Sequence, residues 1–249
     1  MKAVIIAAGV GSRLGELTKE IPKPLIDVNG KSIIERQINS FRKFGINEII
    51  VITGYQNHKF CLENIEYVFN PHYANVEQAF SLLTARKQIN DDVIISFGDI
   101  IFEDKILKQI MDNNGDIVIG VDRDWKKSYE KRMDNSPTMS DFIAIKNGKI
   151  VKLFRKSTEF DDESIIAEFS GLFKLSFDAV KKIIETYEKL EMSHSGKFHY
   201  ADSLKKAKII DLLQELFENG VEMEAVHLEG KWCEIDTPQD LNLARKMFE

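Results

Sequence analysis

Short apolar runs alternate along the chain with stretches in which apolar residues recur every three or four positions. Lys2–Ala7 (KAVIIA), Glu48–Thr53 (EIIVIT), Asp92–Phe97 (DVIISF) and Asp116–Val121 (DIVIGV) are short, β-branched and almost continuously apolar. That pattern predicts parallel strands buried on both faces. Lys31–Phe44 carries apolar residues at helical spacing and stops at Gly45, which predicts a helix closed by a glycine cap. Asn75–Gln88 and Glu103–Asn113 read the same way. This alternation predicts an α/β fold with a doubly wound sheet, and ligands at the carboxyl ends of its strands.

Beyond about Asp122 the pattern changes. Phe142–Ile145, Asn147-Gly148 and Lys149–Phe154 read as strand, two-residue turn and strand, a β-hairpin. Ile165–Leu175 predicts another strand and Ser176–Leu190 an amphipathic helix. A further helix is expected over Ser203–Asn219 and a strand over Met223–His227. Trp232–Asp236 reads as extended, and Thr237-Pro238 starts a terminal helix with Thr as N-cap and Pro at its first position. Neither a repeat nor a low-complexity linker interrupts residues 1–249, so one domain is expected. Its two halves, about 1–121 and 122–249, are expected to share one sheet, the second bringing the inserted hairpin. The polar stretch from Lys126 to Ser140 is the candidate lid.

Composition narrows the function. With 43% hydrophobic and 30% charged residues the chain has the make-up of an ordinary globular protein. A net charge of −6 argues against a general nucleic-acid binder, though local cations can still focus a small anion. Cys61 and Cys233 fit no zinc spacing, and a reducing cytoplasm is the simplest setting. The first apolar run is too short for a secretory signal, and no stretch approaches a membrane span.

The first strand runs into Ala8-Gly9-Val10-Gly11-Ser12-Arg13-Leu14, and Pro22-Lys23-Pro24 follows closely. Glycines let a backbone approach anionic oxygens and turn its N–H groups toward them. Arg13 and Lys23 add charges from two separately held positions. A Walker loop would need Gly-Lys-Ser/Thr, which is absent. A dinucleotide site would need glycine at Leu14 and an acid after the second strand, where Thr53-Gly54-Tyr55 stands. A turn that merely joins strand to helix would need neither Arg13 nor the proline-flanked lysine. Asp99 in Phe97-Gly98-Asp99 and Asp236 after Glu234-Ile235 both follow strand ends, where two carboxylates can converge on one cation. A turn or N-cap aspartate has the same local signature.

Ala7-Ala8-Gly9-x-Gly11-Ser12-Arg13-Leu14 with Pro22-Lys23-Pro24-Leu25 resembles the signature of nucleotidyltransferases that make nucleotide-sugars and related activated compounds. The stretch from Ser203-Leu204 through Asp211-Leu212-Leu213-Gln214 to Trp232-Cys233-Glu234-Ile235-Asp236-Thr237-Pro238-Gln239-Asp240-Leu241 is most similar to one branch. That branch comprises the cytidylyltransferases of phosphonate biosynthesis and their phosphocholine relatives. The resemblance covers almost the whole chain and implies a GT-A-like, Rossmann-type, doubly wound mixed sheet. It implies CTP lying along Ala7, Ala8, Gly9, Gly11, Ser12, Arg13, Lys23, Gln78 and Gly98. Asp99 and Asp236 match the family's metal-binding aspartates, with Mg²⁺ as the ion and Glu234 a weaker third candidate. Lys23 would act on the α-phosphate and Arg13 on the departing oxygens.

The acceptor side rests on Lys156, Glu168, Trp232 and Glu77. Lys156 would meet the acceptor phosphate and Glu168 an acceptor ammonium, beside the face of Trp232. Glu77-Gln78 stands where related enzymes often carry Asn; Gln78 keeps amide chemistry and Glu77 adds a charge. The expected reaction moves CMP from CTP to a small phosphonate, phosphocholine-like phosphate or phosphoramidate and releases pyrophosphate. An already anionic acceptor oxygen needs no general base, so the five histidines are expected to stay outside the chemistry. Two alternatives remain: a sugar-1-phosphate nucleotidylyltransferase using CTP, UTP, GTP or dTTP, and a nucleotide sensor without catalysis. The short acceptor half disfavours the first, and the retained Arg13, Lys23, Asp99 and Asp236 the second. A homodimer is the assembly the resemblance allows, with neither nucleic acid nor membrane as partner.

Overall fold

A computed structural model describes residues 1–129, 132, 134, 140–155 and 163–249. The first half contains strands β1 (Lys2–Ala7), β2 (Asp27–Val28) and β3 (Lys31–Ser32), helix α1 (Ile33–Lys43), and strands β4 (Ile49–Thr53) and β5 (Glu66–Phe69). Helix α2 (Gln78–Thr84), strands β6 (Val93–Phe97) and β7 (Ile100–Phe102), helix α3 (Asp104–Asp112) and strand β8 (Ile117–Asp122) follow. The second half holds α4 (Trp125–Tyr129), the hairpin β9 (Asp141–Lys146) and β10 (Lys149–Arg155), and the long strand β11 (Ile165–Leu175). It continues with α5 (Phe177–Ser193), α6 (Ile209–Glu218), β12 (Glu224–His227), β13 (Trp232–Glu234) and α7 (Pro238–Met247).

Among the described residues, nine strands form one mixed sheet in the order β10-β9-β11-β6-β1-β4-β5, with β8 and β12 branching from β11. β1 is parallel to both β4 and β6, and these three strands are almost entirely buried. Continuous apolar runs demand cover on both faces, which is why the pattern was legible. β8 runs in the same direction as β1, β4 and β6 but is separated from them by β11, which is antiparallel to both β6 and β8, and it pairs parallel with β12. β11 is the branch point, because Leu172–Leu175 faces β6 while Ile165–Glu168 faces β9.

Local rules set the helix ends. Ser32 caps α1 in a reciprocal bond with Glu35. Gly45 then takes a left-handed φ of +80°, its N–H bonding the Arg42 carbonyl and that of Ile46 the Phe41 carbonyl. Thr237 caps α7, with Pro238 in its first turn and Asp240 completing the box.

Two expected helices are shorter in the structure for one shared reason. The Glu77 N–H bonds the Lys205 carbonyl and the Ala79 N–H the Ala207 carbonyl, which holds Glu77 and Ala207 extended. α2 therefore starts only at Gln78, and the second segment splits into a 3₁₀ turn at Leu204–Lys206 and α6. Of the candidate lid, Lys126–Tyr129 is helical and Arg132 is buried. No helix among the described residues is long and apolar enough to cross a membrane.

Candidate active site

The end of β1 feeds a loop whose shape depends on Gly11. Its φ of +68° is left-handed, and a Cβ there would lie 2.9 Å from Cβ of Lys23. The Gly11 carbonyl accepts from Leu14 N–H at 3.1 Å and the Thr18 hydroxyl at 3.0 Å. Lys23 is thus clamped from above by the loop and along the chain by Pro22 and Pro24. Gly98 closes the other wall: its N–H bonds the Ile6 carbonyl, and a Cβ there would crowd that carbonyl and Pro24. The resulting cleft, of about 260 Å³, is lined by Ala7, Ala8, Gly9, Gly11, Ser12 and Arg13, and by Lys23, Gln78, Gly98, Asp99 and Asp236.

A small ladder brings the two aspartates together. β13 runs antiparallel to β7, pairing Glu234 with Ile100, and the Ile235 N–H bonds the Asp99 carbonyl at 2.8 Å. Gln37, buried in α1, donates to the carbonyls of Phe97 (2.9 Å) and Ile100 (2.7 Å), which fixes the turn carrying Asp99. On the other side Asp240 accepts the backbone N–H groups of Asp236 and Thr237, while its second oxygen takes Arg132 Nε at 2.7 Å.

Lys23 Nζ lies 2.9 Å from Asp99 Oδ2 and 2.5 Å from Asp236 Oδ1, and Arg13 reaches the same Asp236 oxygen at 2.8 Å. Burial opposes the Lys23 charge, but Asp99, Asp236 and Glu234 outweigh it and hold the ammonium protonated well beyond its ordinary range. Burial likewise opposes ionisation of Asp236, yet Lys23 and Arg13 prevail and keep its carboxyl below the usual range. Glu234 moves the other way: burial first, then Asp236 and Asp99, raise its carboxyl well above normal. Oxygens of Asp99, Glu234 and Asp236 lie within 4.8 Å of one another, and Asp99 Oδ1 is buried without a partner. An all-oxygen, acidic set with an orphaned oxygen fits a hard divalent cation.

A second cleft of about 450 Å³ opens on the far side of this group and shares Ser12, Arg13, Glu77, Gln78, Phe97, Asp99 and Asp236 with the first. Its own wall carries Glu168, Trp232, Glu234, Arg155, Lys208 and Asp141. Glu168 Oε1 accepts from the Tyr129 hydroxyl at 2.6 Å, while Oε2 is buried and unpartnered. Burial pushes the Glu168 carboxyl up to about 7, against the hydrogen bonds from Tyr129 and Ser140. Lys208 reaches both Asp141 oxygens at 3.2 Å, and Arg155 lies 3.5 Å from Asp141 and 3.2 Å from the fully buried Asp211. Burial raises the Asp141 carboxyl, though Lys208 and Arg155 pull it down.

The nucleotide-side residues named from sequence therefore all line one cleft, and Asp99 and Asp236 stand where the two clefts join. Glu234 joins them at the same group. Gln78 spends its carboxamide oxygen on the Ile209 N–H. Glu77 lines both clefts but makes no capping bond to α2. Trp232 packs on the core and donates to the Ser170 carbonyl while it also lines the second cleft. Lys156 lies outside the described residues. Sequence reasoning missed Gln37, Asp141, Lys208 and Asp211. For Gln37 and Asp211 there was a signal, a polar residue among apolar neighbours on a core-facing helix. Among the described residues, no histidine lines either cleft.

Similarity to known proteins extends along the whole chain. The sequence model of the MobA-like NTP transferase domain matches residues 3–133. The CTP:phosphoglutamine cytidylyltransferase of Campylobacter jejuni is 31% identical over 98% of both chains. The choline-phosphate cytidylyltransferase of Streptococcus pneumoniae is 37% identical over 41% of this chain and 47% of its own length. The solved CTP:phosphocholine cytidylyltransferase of S. pneumoniae superposes with a TM-score of 0.74, at 22% identity, covering 100% of this chain and 99% of that one. At that identity the superposition establishes the fold, a large mixed α/β sheet.

Proposed function

Because the chain belongs to the MobA-like NTP transferase family, we propose that it is a cation-dependent cytidylyltransferase that moves CMP from CTP to a small phosphorylated acceptor and releases pyrophosphate. The observation that carries this reading is the junction of two clefts at Asp99 and Asp236, with Lys23 and Arg13 facing it. A donor and an acceptor placed on either side of that junction meet where the charge is concentrated. CTP as donor is supported by likeness to the phosphoglutamine enzyme along nearly the whole chain. In this reading the chain is one domain, its first half holding nucleotide and its second completing the cation and acceptor sites.

The reaction needs an acceptor oxygen to attack the α-phosphorus in line with the departing pyrophosphate. That oxygen is anionic near neutral pH, so the work left to the protein is to hold two repelling anions together. The Ala7–Arg13 loop takes the triphosphate, and Lys23, held protonated, supplies charge at the α-phosphate. Arg13, half exposed at the cleft mouth, suits the departing oxygens. Asp99 and Asp236, with Glu234 beside them, would hold Mg²⁺, which supplies charge neutralisation and orients phosphate oxygens.

Across the junction, Arg155 and Lys208 are the described cations of the acceptor cleft besides Arg13, and they suit its phosphate. The free Oε2 of Glu168 and the ring of Trp232 suit an ammonium or amide at the acceptor's other end. Phosphocholine-like phosphates, small amino-phosphonates and phosphoramidates all have this form.

Pyrophosphate release measured with CTP, UTP, GTP and dTTP against phosphocholine, phosphoglutamine, 2-aminoethylphosphonate and hexose 1-phosphates tests the reading. CTP with one of the nitrogen-bearing acceptors should react fastest. Turnover of hexose 1-phosphates alone would sink the acceptor assignment, and CTP binding without turnover of any acceptor would mean a sensor.

A further inference from the structure

We infer that Lys23 has a second role as the resident cation of the nucleotide-free site, so that binding of a divalent cation depends on bound nucleotide. The inference rests on the reading of Asp99 and Asp236 as the cation's carboxylates. Lys23 Nζ bridges one oxygen of each, at 2.9 and 2.5 Å, and Arg13 shares the Asp236 oxygen at 2.8 Å. One oxygen of each carboxylate that a metal would need is already engaged by charges of the chain itself.

Lys23 cannot simply drift away to make room. Its side chain is 9% exposed, its stem lies under Gly11, and its backbone is held between two prolines. The ammonium can swing only within the first cleft, which the Ala7–Arg13 loop lines. An incoming dication meets two cations at short range and in a poorly solvated place, where like charges repel strongly. Triphosphate oxygens in that cleft change the balance by giving Lys23 and Arg13 other partners. The aspartates are then released to the metal, and Asp99 Oδ1, buried and unpartnered, gains one. Nucleotide and metal therefore bind with positive coupling, and by linkage each strengthens the other.

Titration of nucleotide-free protein with Mn²⁺, read by the electron paramagnetic resonance of free Mn²⁺, tests this directly. Wild type should bind it no more tightly than millimolar. Lys23→Met and Lys23→Gln should each bind one Mn²⁺ about ten-fold more tightly or better. Adding Asp236→Asn to either should remove that site, and circular dichroism reports which variants are folded. Wild-type protein that binds one Mn²⁺ at micromolar concentration without nucleotide, lost in Asp236→Asn, would overturn the inference even if no Lys23 variant folds. So would Lys23 variants that bind no better than wild type. A different failure marks the reading beneath: Asp99→Asn and Asp236→Asn leaving Mn²⁺ binding unchanged both with and without CTP.

Discussion

The cleft lined by Ala7–Arg13 and the cleft lined by Arg155, Glu168 and Lys208 share a wall at Asp99 and Asp236 but are assembled differently. In the first, the phosphate-side wall is two neighbouring stretches, 7–13 and 23–24, where special backbone residues do the shaping: Gly11 in a left-handed turn and Lys23 between two prolines. The second draws its charged residues from β9, β10, β11, β13 and the approach to α6, and orients several of them by charge pairs such as Lys208–Asp141 and Arg155–Asp211. Backbone-coded sites write their geometry into local sequence. Network-coded sites write it into partners many residues apart.

The largest effect should come from breaking the shared wall. Asp236→Asn leaves Lys23 and Arg13 without their common partner and weakens the cation site, so kcat should fall about 10³-fold or more. Steady-state kinetics with either substrate varied checks this, and a loss confined to one substrate's KM would separate the clefts.

Glu168, which lines the second cleft and not the first, offers the next largest effect. Its carboxyl is raised from 4.5 to about 7 in the folded chain, chiefly by burial. Below 4.5 both folded and unfolded chains keep the proton. Between 4.5 and about 7 the unfolded chain releases it while the folded chain keeps it, so stability falls as pH rises through that window. Glu168→Gln removes this dependence. Its stability relative to wild type should climb across the window by up to about 3 kcal/mol and level off above it, as chemical denaturation at several pH values would show. A relative stability flat with pH would mean that Glu168 is not held protonated.

Smaller effects sharpen the division. Lys208→Met should raise the acceptor KM about ten-fold, the loss of one charge-assisted contact, and leave the KM for CTP unchanged. Gly11→Ala should do the reverse. It forces a side chain into a left-handed position against Lys23, at a cost of about 1 kcal/mol in stability, and it should raise the KM for CTP. Equal effects of either variant on both substrates would erase the distinction between the clefts.

The same division explains what could be read from sequence. β1, the hairpin and β11 were legible because burial on both faces, or an Asn-Gly turn, leaves a direct mark on residue choice. The Gly11 turn and the Lys23 clamp were legible for the same kind of reason. β7 and β13 are three residues each, too short for periodicity, yet their pairing is what joins Asp99 to Asp236. The break between Ala207 and Ile209 was hidden because helical spacing continues through it, and only the bonds to Glu77 and Ala79 reveal it. Lys208 looked like one more surface lysine. Its partner Asp141 lies 67 residues away, and nothing local links them.

In the proposed reaction an acceptor oxygen attacks the α-phosphorus of CTP at the junction of the two clefts. Phosphorus NMR of the reaction with ¹⁸O-labelled acceptor phosphate tests it most directly, using phosphocholine or phosphoglutamine. Pyrophosphate should appear together with a CMP–acceptor product whose bridging oxygen carries the label, and neither should appear with Asp236→Asn. Label found only in unreacted acceptor while CTP is hydrolysed by water, or a product unaffected by Asp236→Asn, would contradict it.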